Sequence, residues 1–140
     1  MALGPNLTTV TITGSYVDFE IKSTDGKTHE TEITFGLAAD IARNESTQVL
    51  ETNAGSKGSL KYLKTGVKDQ TILGRKGDDV RIDWGYGYLA STNTEHELGV
   101  KSLTDLINLS EGNSNEKSAS DPELFLTSQW KAKAGPIVKK

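Results

Sequence analysis

Apolar and polar side chains alternate along this chain in short runs, and the runs are separated by clusters of Asn, Gly, Ser and Asp. Val17, Phe19 and Ile21 fall on one side of an extended backbone while Asp18, Glu20 and Lys22 fall on the other. Thr24-Asp25-Gly26-Lys27 follows, and then Thr31, Ile33 and Phe35 alternate with Glu30, Glu32 and Thr34. Two alternating runs around Asp-Gly predict a β-hairpin with a type I′ turn at Asp25-Gly26, whose central residues both need positive φ. The same pattern predicts strands over 8–13, 47–51, 59–63, 80–89 and 124–130. Residues 36–44 hold helix formers but too few turns for an independent helix, so they are expected to continue a strand or form a bulge. Ser102 is expected to cap a short helix ending near Ile107, with Asp105 in its first turn.

These spacings predict a mainly β fold, an antiparallel β-sandwich with little helix. A chain of 140 residues is the length of one domain and can bury about two-thirds of its unfolded surface. The expected organisation is a single domain over 1–140, excised from a larger multi-domain chain, with a flexible loop at 110–121. In that loop Ser110-Glu-Gly-Asn-Ser-Asn-Glu-Lys-Ser-Ala-Ser-Asp121 has one alanine as its only apolar residue, too little burial to offset the entropy of ordering.

Composition narrows the function classes. A net charge of −3 with scattered Lys and Arg lacks the clustered cations of a nucleic-acid binder, so no nucleic-acid partner is expected. No apolar run reaches the length of a membrane-spanning helix, and no membrane span is expected. With no cysteine the chain has neither disulfides nor a thiolate metal site. His29 and His96 lie far apart in sequence, and no nucleophile elbow or His-Glu-x-x-His accompanies either. Asp78, Asp79 and Asp83 lack calcium-loop spacing, and Asn53-Ala-Gly-Ser-Lys-Gly-Ser59 lacks phosphate-loop spacing and is expected to be a turn. Asn6-Leu-Thr, Asn44-Glu-Ser and Asn108-Leu-Ser fit the glycosylation triplet, which chance supplies in a chain this rich in Asn and Thr. No catalytic residue, metal site or cofactor is therefore assigned.

The most informative stretch is Gly77-Asp-Asp-Val-Arg-Ile-Asp-Trp-Gly-Tyr-Gly-Tyr-Leu-Ala-Ser91. Strand alternation across it would align Ile82, Trp84, Tyr86 and Tyr88 on one face and Arg81, Asp83, Gly85, Gly87 and Leu89 on the other. Such an aromatic stripe either packs between layers or offers flat faces for a ligand. Gly85 and Gly87 leave room for close approach of another backbone or a bulky side chain. The candidate binding set is Arg81, Asp83, Trp84, Tyr86 and Tyr88, serving a ligand or a domain interface.

Together with Phe19-Glu-Ile-Lys-Ser-Thr-Asp-Gly-Lys-Thr-His-Glu30 and Leu63-Lys-Thr-Gly66, this stretch resembles the non-catalytic N-terminal β-sandwich domain of the secreted glutaminase A family, known from fungi and gut bacteria. The resemblance covers roughly residues 16–91 and departs at Gly87, where a bulky apolar residue is expected. It implies a structural accessory domain, not itself an enzyme, packing against a helical catalytic domain of a parent that hydrolyses L-glutamine to glutamate and ammonia. It also implies a secreted or periplasmic location, with other domains of the parent chain as partners. The residues themselves leave a second possibility open, a carbohydrate- or peptide-binding module that uses the Trp84, Tyr86 and Tyr88 stripe for a small-molecule or carbohydrate ligand.

Overall fold

A computed structural model describes residues 14–74, 76–78, 80–111 and 123–136. The expected strand at 8–13, the Asn6 triplet, Asp79 and residues 112–121 of the expected loop lie outside them. The protein is mainly β, with two sheets built largely of antiparallel strands and one short helix. Its chain divides into two compact units, Met1–His29 with Lys133–Lys140, and Glu30–Ala132.

The larger unit holds β2 (His29–Ala38) from its second residue onward, β3 (Leu50–Lys57), β4 (Leu60–Val67), β5 (Gly87–Ser91), β6 (Glu97–Ser102), α1 (Leu103–Glu111) and the first part of β7 (Leu124–Pro136). The first sheet of this unit joins β2, β7 and β6, and β6 runs antiparallel to β7 with Glu97 opposite Gln129 and Ser102 opposite Leu124. Thr31 Oγ1 donates to the Ala132 carbonyl at 2.8 Å, and Gln129 Nε2 donates to Glu32, tying β2 to β7. The second sheet has the order β3-β4-β5.

Strand alternation is realised over the middle of β2, whereas β4 and β7 each bury three consecutive residues, 65–67 and 126–128. In β2, Thr31, Ile33 and Phe35 are half-buried while Glu30, Glu32 and Thr34 face solvent. In β4, Leu63, Thr65 and Val67 are buried, and β4 packs against β6 of the other sheet. Leu126 of β7 is the largest fully buried side chain among the described residues, flanked by buried Thr127 and Ser128. The core is therefore small and rich in β-branched and short side chains, as suits two closely stacked sheets. Helix α1 rests on the first sheet at Gly36, where a Cβ would lie 3.4 Å from Leu106 and 3.6 Å from Phe125. Its start is a reciprocal cap. Ser102 Oγ accepts from the Asp105 amide at 3.1 Å, and the Asp105 carboxylate accepts from the Ser102 amide at 3.2 Å and from its hydroxyl at 2.9 Å. The helix predicted to end near Ile107 continues to Glu111, and so takes in the first two residues assigned to the loop.

Several expectations need correction. No hairpin forms at Asp25-Gly26: β1 (Lys22–Ser23) pairs in parallel with the end of β7, Lys22 opposite Gly135 and Ser23 opposite Pro136. Gly26 has φ +76 but Asp25 does not share the positive φ that a type I′ turn demands. The Asp25 carboxylate instead accepts from the Ser23 hydroxyl at 2.6 Å and from the Lys27 amide at 2.9 Å, which makes an Asx-type turn. The tight hairpin lies elsewhere, at Gly58-Ser59 between β3 and β4, with Lys57 opposite Leu60. Gly58 has φ +62 and Ser59 is not positive, the pattern of a type II′ turn. Asn53 to Lys57, expected to be a turn, is thus strand. Residues 36–38 do continue β2, but Ala39–Ala42 closes into one 3-10 turn. Other strands exceed or escape the prediction: β3, β4 and β5 run past their expected ends to Lys57, Val67 and Ser91, β7 extends six residues past Trp130, and β6 had no counterpart.

Candidate functional site

The aromatic stripe is not continuous. Residues 80–86 run as irregular chain, and only from Gly87 does the segment join the sheet as β5, pairing antiparallel with β4. Gly85 is the cause: its φ of +100 turns the backbone out of the extended region, so face alternation does not carry across it. Ile82 and Trp84 therefore part from Tyr88.

Lacking a strand partner, the segment is held by amide side chains from other parts of the chain. Asn44 Oδ1 accepts from the Arg81 amide at 2.8 Å, and Gln48 Nε2 donates to the Asp83 carboxylate at 2.8 Å. Gln70 Oε1 accepts from the Gly85 amide at 2.5 Å, while Gln70 Nε2 donates to the Val67 carbonyl at 2.6 Å. Gln48 is itself fixed, because its Oε1 accepts from the amides of Asn44 and Glu45. Beside these struts the half-buried Arg43 guanidinium bonds Asp40 at 2.7 Å and the Ser46 carbonyl at 2.9 Å, which stiffens the loop that carries Asn44.

The held segment and the 3-10 turn enclose a cleft of about 230 Å³ lined by Ile41, Ala42, Ile82, Trp84, Gly85, Tyr86 and Gly87. The room foreseen at Gly87 is filled from within the unit: a Cβ there would stand 3.1 Å from Ile41 Cδ1 and 3.3 Å from Thr65 Cγ2. Large apolar side chains ring the opening with much of their surface in water, Ile82 at 68%, Ile41 at 54% and Tyr86 at 48%. The lining contains no carboxylate, ammonium or imidazole, so the cleft carries no formal charge of its own, and apolar side chains share its surface with polar groups.

Of the five predicted site residues, Trp84 and Tyr86 meet at the cleft. Tyr88 lies on the sheet face beside Tyr62, ring centroids 5.8 Å apart. Arg81 is exposed, and Asp83 serves the Gln48 strut. Sequence reasoning missed Ile41 and Ala42, which reach the cleft through the 3-10 turn, and the three amides Asn44, Gln48 and Gln70, whose polar residue types alone carry no positional signal. The Asn44 side chain, part of a glycosylation triplet, is one of the struts.

Both histidines have local tasks. His29 contacts both Asp25 oxygens at 2.9 and 3.0 Å in the smaller unit. The Ser23 hydroxyl first, then His29 and the Lys27 amide, hold the Asp25 carboxyl down from 3.8 to about 2. His96 stacks on Trp130 with centroids 4.4 Å apart and 17° between planes, and its Nδ1 lies 3.0 Å from Ser91 Oγ and 3.3 Å from Ser128 Oγ. Ser91 ends β5 and Ser128 lies in β7, so His96 clasps one sheet to the other. Among the described residues no three His, Asp or Glu side chains gather to hold a metal ion, and no helix is long and apolar enough to cross a membrane.

Residues 3–134 match a family described as a domain of unknown function, DUF5127. The chain belongs to that family. No curated protein and no solved structure matches this DUF5127 chain.

Proposed function

We propose that this DUF5127 domain is a non-catalytic accessory domain of a secreted, glutaminase-like hydrolase, docking through the Trp84 cleft onto a helical catalytic domain of the same parent. The observation that carries the reading is the cleft itself, without charged side chains, lined by Trp84 and by the exposed Ile41, Ile82 and Tyr86. Exposed apolar side chains clustered around a concavity are what a severed or transient domain interface leaves in water. The struts add support, since Asn44, Gln48 and Gln70 fix an otherwise unpaired segment and so pre-organise the surface that a partner would meet. The resemblance of residues 16–91 to the glutaminase A accessory domain supplies the class of parent, its substrate L-glutamine and its secreted or periplasmic location. Support also comes from both histidines being engaged in scaffolding contacts.

The test uses the whole parent protein beside the 140-residue chain. Ammonia release from L-glutamine is expected from the parent alone, and Ile82→Asp in the parent is expected to lower its thermal midpoint and speed proteolysis between domains. Glutamine hydrolysis by the 140-residue chain would overturn the proposal, as would a parent carrying Ile82→Asp that melts and resists protease as the unmodified protein does.

A further inference from the structure

Strand β3 forms one edge of the β3-β4-β5 sheet, at the opposite side from β5 and the cleft residue Gly87. It runs for 8 residues in unbroken register with β4, without a bulge or a proline. The turn decides which of its backbone groups are already bonded. In a two-residue hairpin the flanking residues exchange both hydrogen bonds, so Lys57 pairs with Leu60 in this way and the bonded positions recur at Gly55, Asn53 and Glu51. The same parity returns beyond the strand, where the Lys68 amide donates to the Val49 carbonyl at 2.9 Å. The amides and carbonyls of Leu50, Thr52, Ala54 and Ser56 therefore point away from β4, and among the described residues no strand or hydrogen bond meets them.

An open edge of this length is a template for another strand, and proteins commonly blunt such edges with charge. Glu51 and Lys57 are the only charged residues of β3, one near each end, and both side chains stand on the face shared with Leu60 and Lys64. Antiparallel pairing of β3 with a second β3, centred on Ala54, sets Glu51 of each copy opposite Lys57 of the other. The same register joins Thr52 to Ser56 and Ala54 to Ala54, the positions whose amides and carbonyls are open, so parity and charge select one alignment. Glu51 and Lys57 then fall in non-hydrogen-bonded pairs, the closer kind, with Cα atoms about 4.5 Å apart. Lys64 stands beside Asn53, so no like charges are set directly opposite. Moving the register by two residues keeps the hydrogen bonds but sets Lys57 against Asn53 or Val49, and the charge pairs are lost. Of the other edge strands, β2 carries two glutamates and no Lys or Arg, β5 carries no charge, and β6 carries Glu97 and Lys101 over only 6 residues.

We propose that β3 pairs with the β3 of a second copy of this chain across a two-fold axis at Ala54, joining the two three-stranded sheets into one. The hydrogen-bonded pairs are Thr52 with Ser56, Ala54 with Ala54 and Ser56 with Thr52, each exchanging two bonds. Ala54, Gly55 and Ser56 are small, which lets the two backbones approach at the centre. The axis stands perpendicular to the sheet, so the faces that bear Glu51 and Lys57 lie on the same side in both copies. An interface one strand wide is weak and reversible. It goes beyond the accessory-domain reading and uses none of the residues that line the Trp84 cleft.

Sedimentation equilibrium of the 140-residue chain from about 0.02 to 2 mM is expected to show a reversible monomer–dimer equilibrium. Glu51→Lys and Lys57→Glu each set like charges opposite one another at both ends of the pairing, and each is expected to weaken association about tenfold. An equimolar mixture of the two variants is expected to recover it, because an edge with two ammoniums then meets an edge with two carboxylates. Both positions are exposed, and urea midpoints verify that the fold survives in each variant. Amide exchange at the highest concentration is expected to slow at Thr52, Ala54 and Ser56 and to stay unchanged at Asn53 and Gly55. A chain that is monomeric throughout, single variants that associate as the unmodified chain does, a mixture no tighter than its components, or exchange slowed at another edge overturns the proposal. Loss of association in Ile82→Ser or Glu97→Lys would overturn it too, because the cleft or β6 would then hold the copies together.

Discussion

Replacing Gly87 with alanine tests whether the close approach of Ile41 explains that glycine. Gly87 is not among the residues with positive φ, so alanine meets no conformational barrier there, and lost freedom in the unfolded chain would by itself stabilise the protein by about 0.4–1 kcal/mol. Packing acts in the other direction. The new Cβ would stand 3.1 Å from Ile41 Cδ1, 3.3 Å from Ile41 Cγ1 and 3.3 Å from Thr65 Cγ2. Thr65 is fully buried and cannot yield, whereas Ile41 is half in water and can swing. Overpacking of this kind costs about 1–3 kcal/mol, and the freedom of Ile41 places Gly87→Ala in the lower half of that range, at about 1.5 kcal/mol. The net expectation is a loss of about 0.5–1 kcal/mol, a fall of a few degrees in thermal midpoint for a chain of this length. In an Ile41→Ala background only the Thr65 contact remains, so the same change should become neutral or stabilising, a coupling of about 1 kcal/mol. Urea unfolding followed by circular dichroism in the four proteins of this cycle measures it, with matching m-values as the requirement for comparison. A Gly87→Ala protein more stable than the unmodified one, or a coupling within about 0.3 kcal/mol of zero, refutes the reasoning.

Three further outcomes follow from local geometry. The Asp25 carboxyl should titrate near pH 2 by its side-chain carbonyl resonance; because its folded value lies below 3.8, its contribution to stability is complete above pH 3.8 and is lost as pH falls through 2, and Asp25→Asn should remove that dependence. Ser102→Ala deletes the hydroxyl half of the cap on α1 and should cost about 1 kcal/mol, seen as faster amide exchange confined to the first turn of the helix. Gly58→Ala forces a side chain to φ +62 and should cost about 1 kcal/mol, with protection lost at Lys57 and Leu60 beside the turn; unchanged exchange there would rule out the type II′ geometry.

Which side chains face inward was legible in β2, but not in the equally regular run at Val17, Phe19 and Ile21, which forms no strand and leaves all three side chains exposed. Thr31, Ile33 and Phe35 turn toward the core as their spacing requires, and the first residues of β7 are a strand as expected. Ser102 and Asp105 form their cap because a hydroxyl and a carboxylate three residues apart need only each other and the local backbone. In the candidate site, Trp84 and Tyr86 were legible as unusual residues, but their destination was not. One torsion, φ +100 at Gly85, ends the alternation on which the stripe depended, and a glycine codon does not say which of its many conformations is adopted.

The sequence by itself therefore determined the predominance of strand, the polarity of the two faces of β2 and the start of α1, all properties of neighbours within a few residues. Partnership was decided only in three dimensions. Asp25-Gly26 carries hairpin residues, yet Ser23, Lys27 and His29 claim the Asp25 carboxylate, and β1 pairs with a strand more than a hundred residues later. The cleft likewise needs a 3-10 turn at Ala39–Ala42 and amides at 44, 48 and 70 to converge on residues 81–87. Alternation sets which way a side chain points, but hydrogen-bond partners for a strand or a loop are chosen by competition among distant segments, and that competition is settled only when the sheets pack.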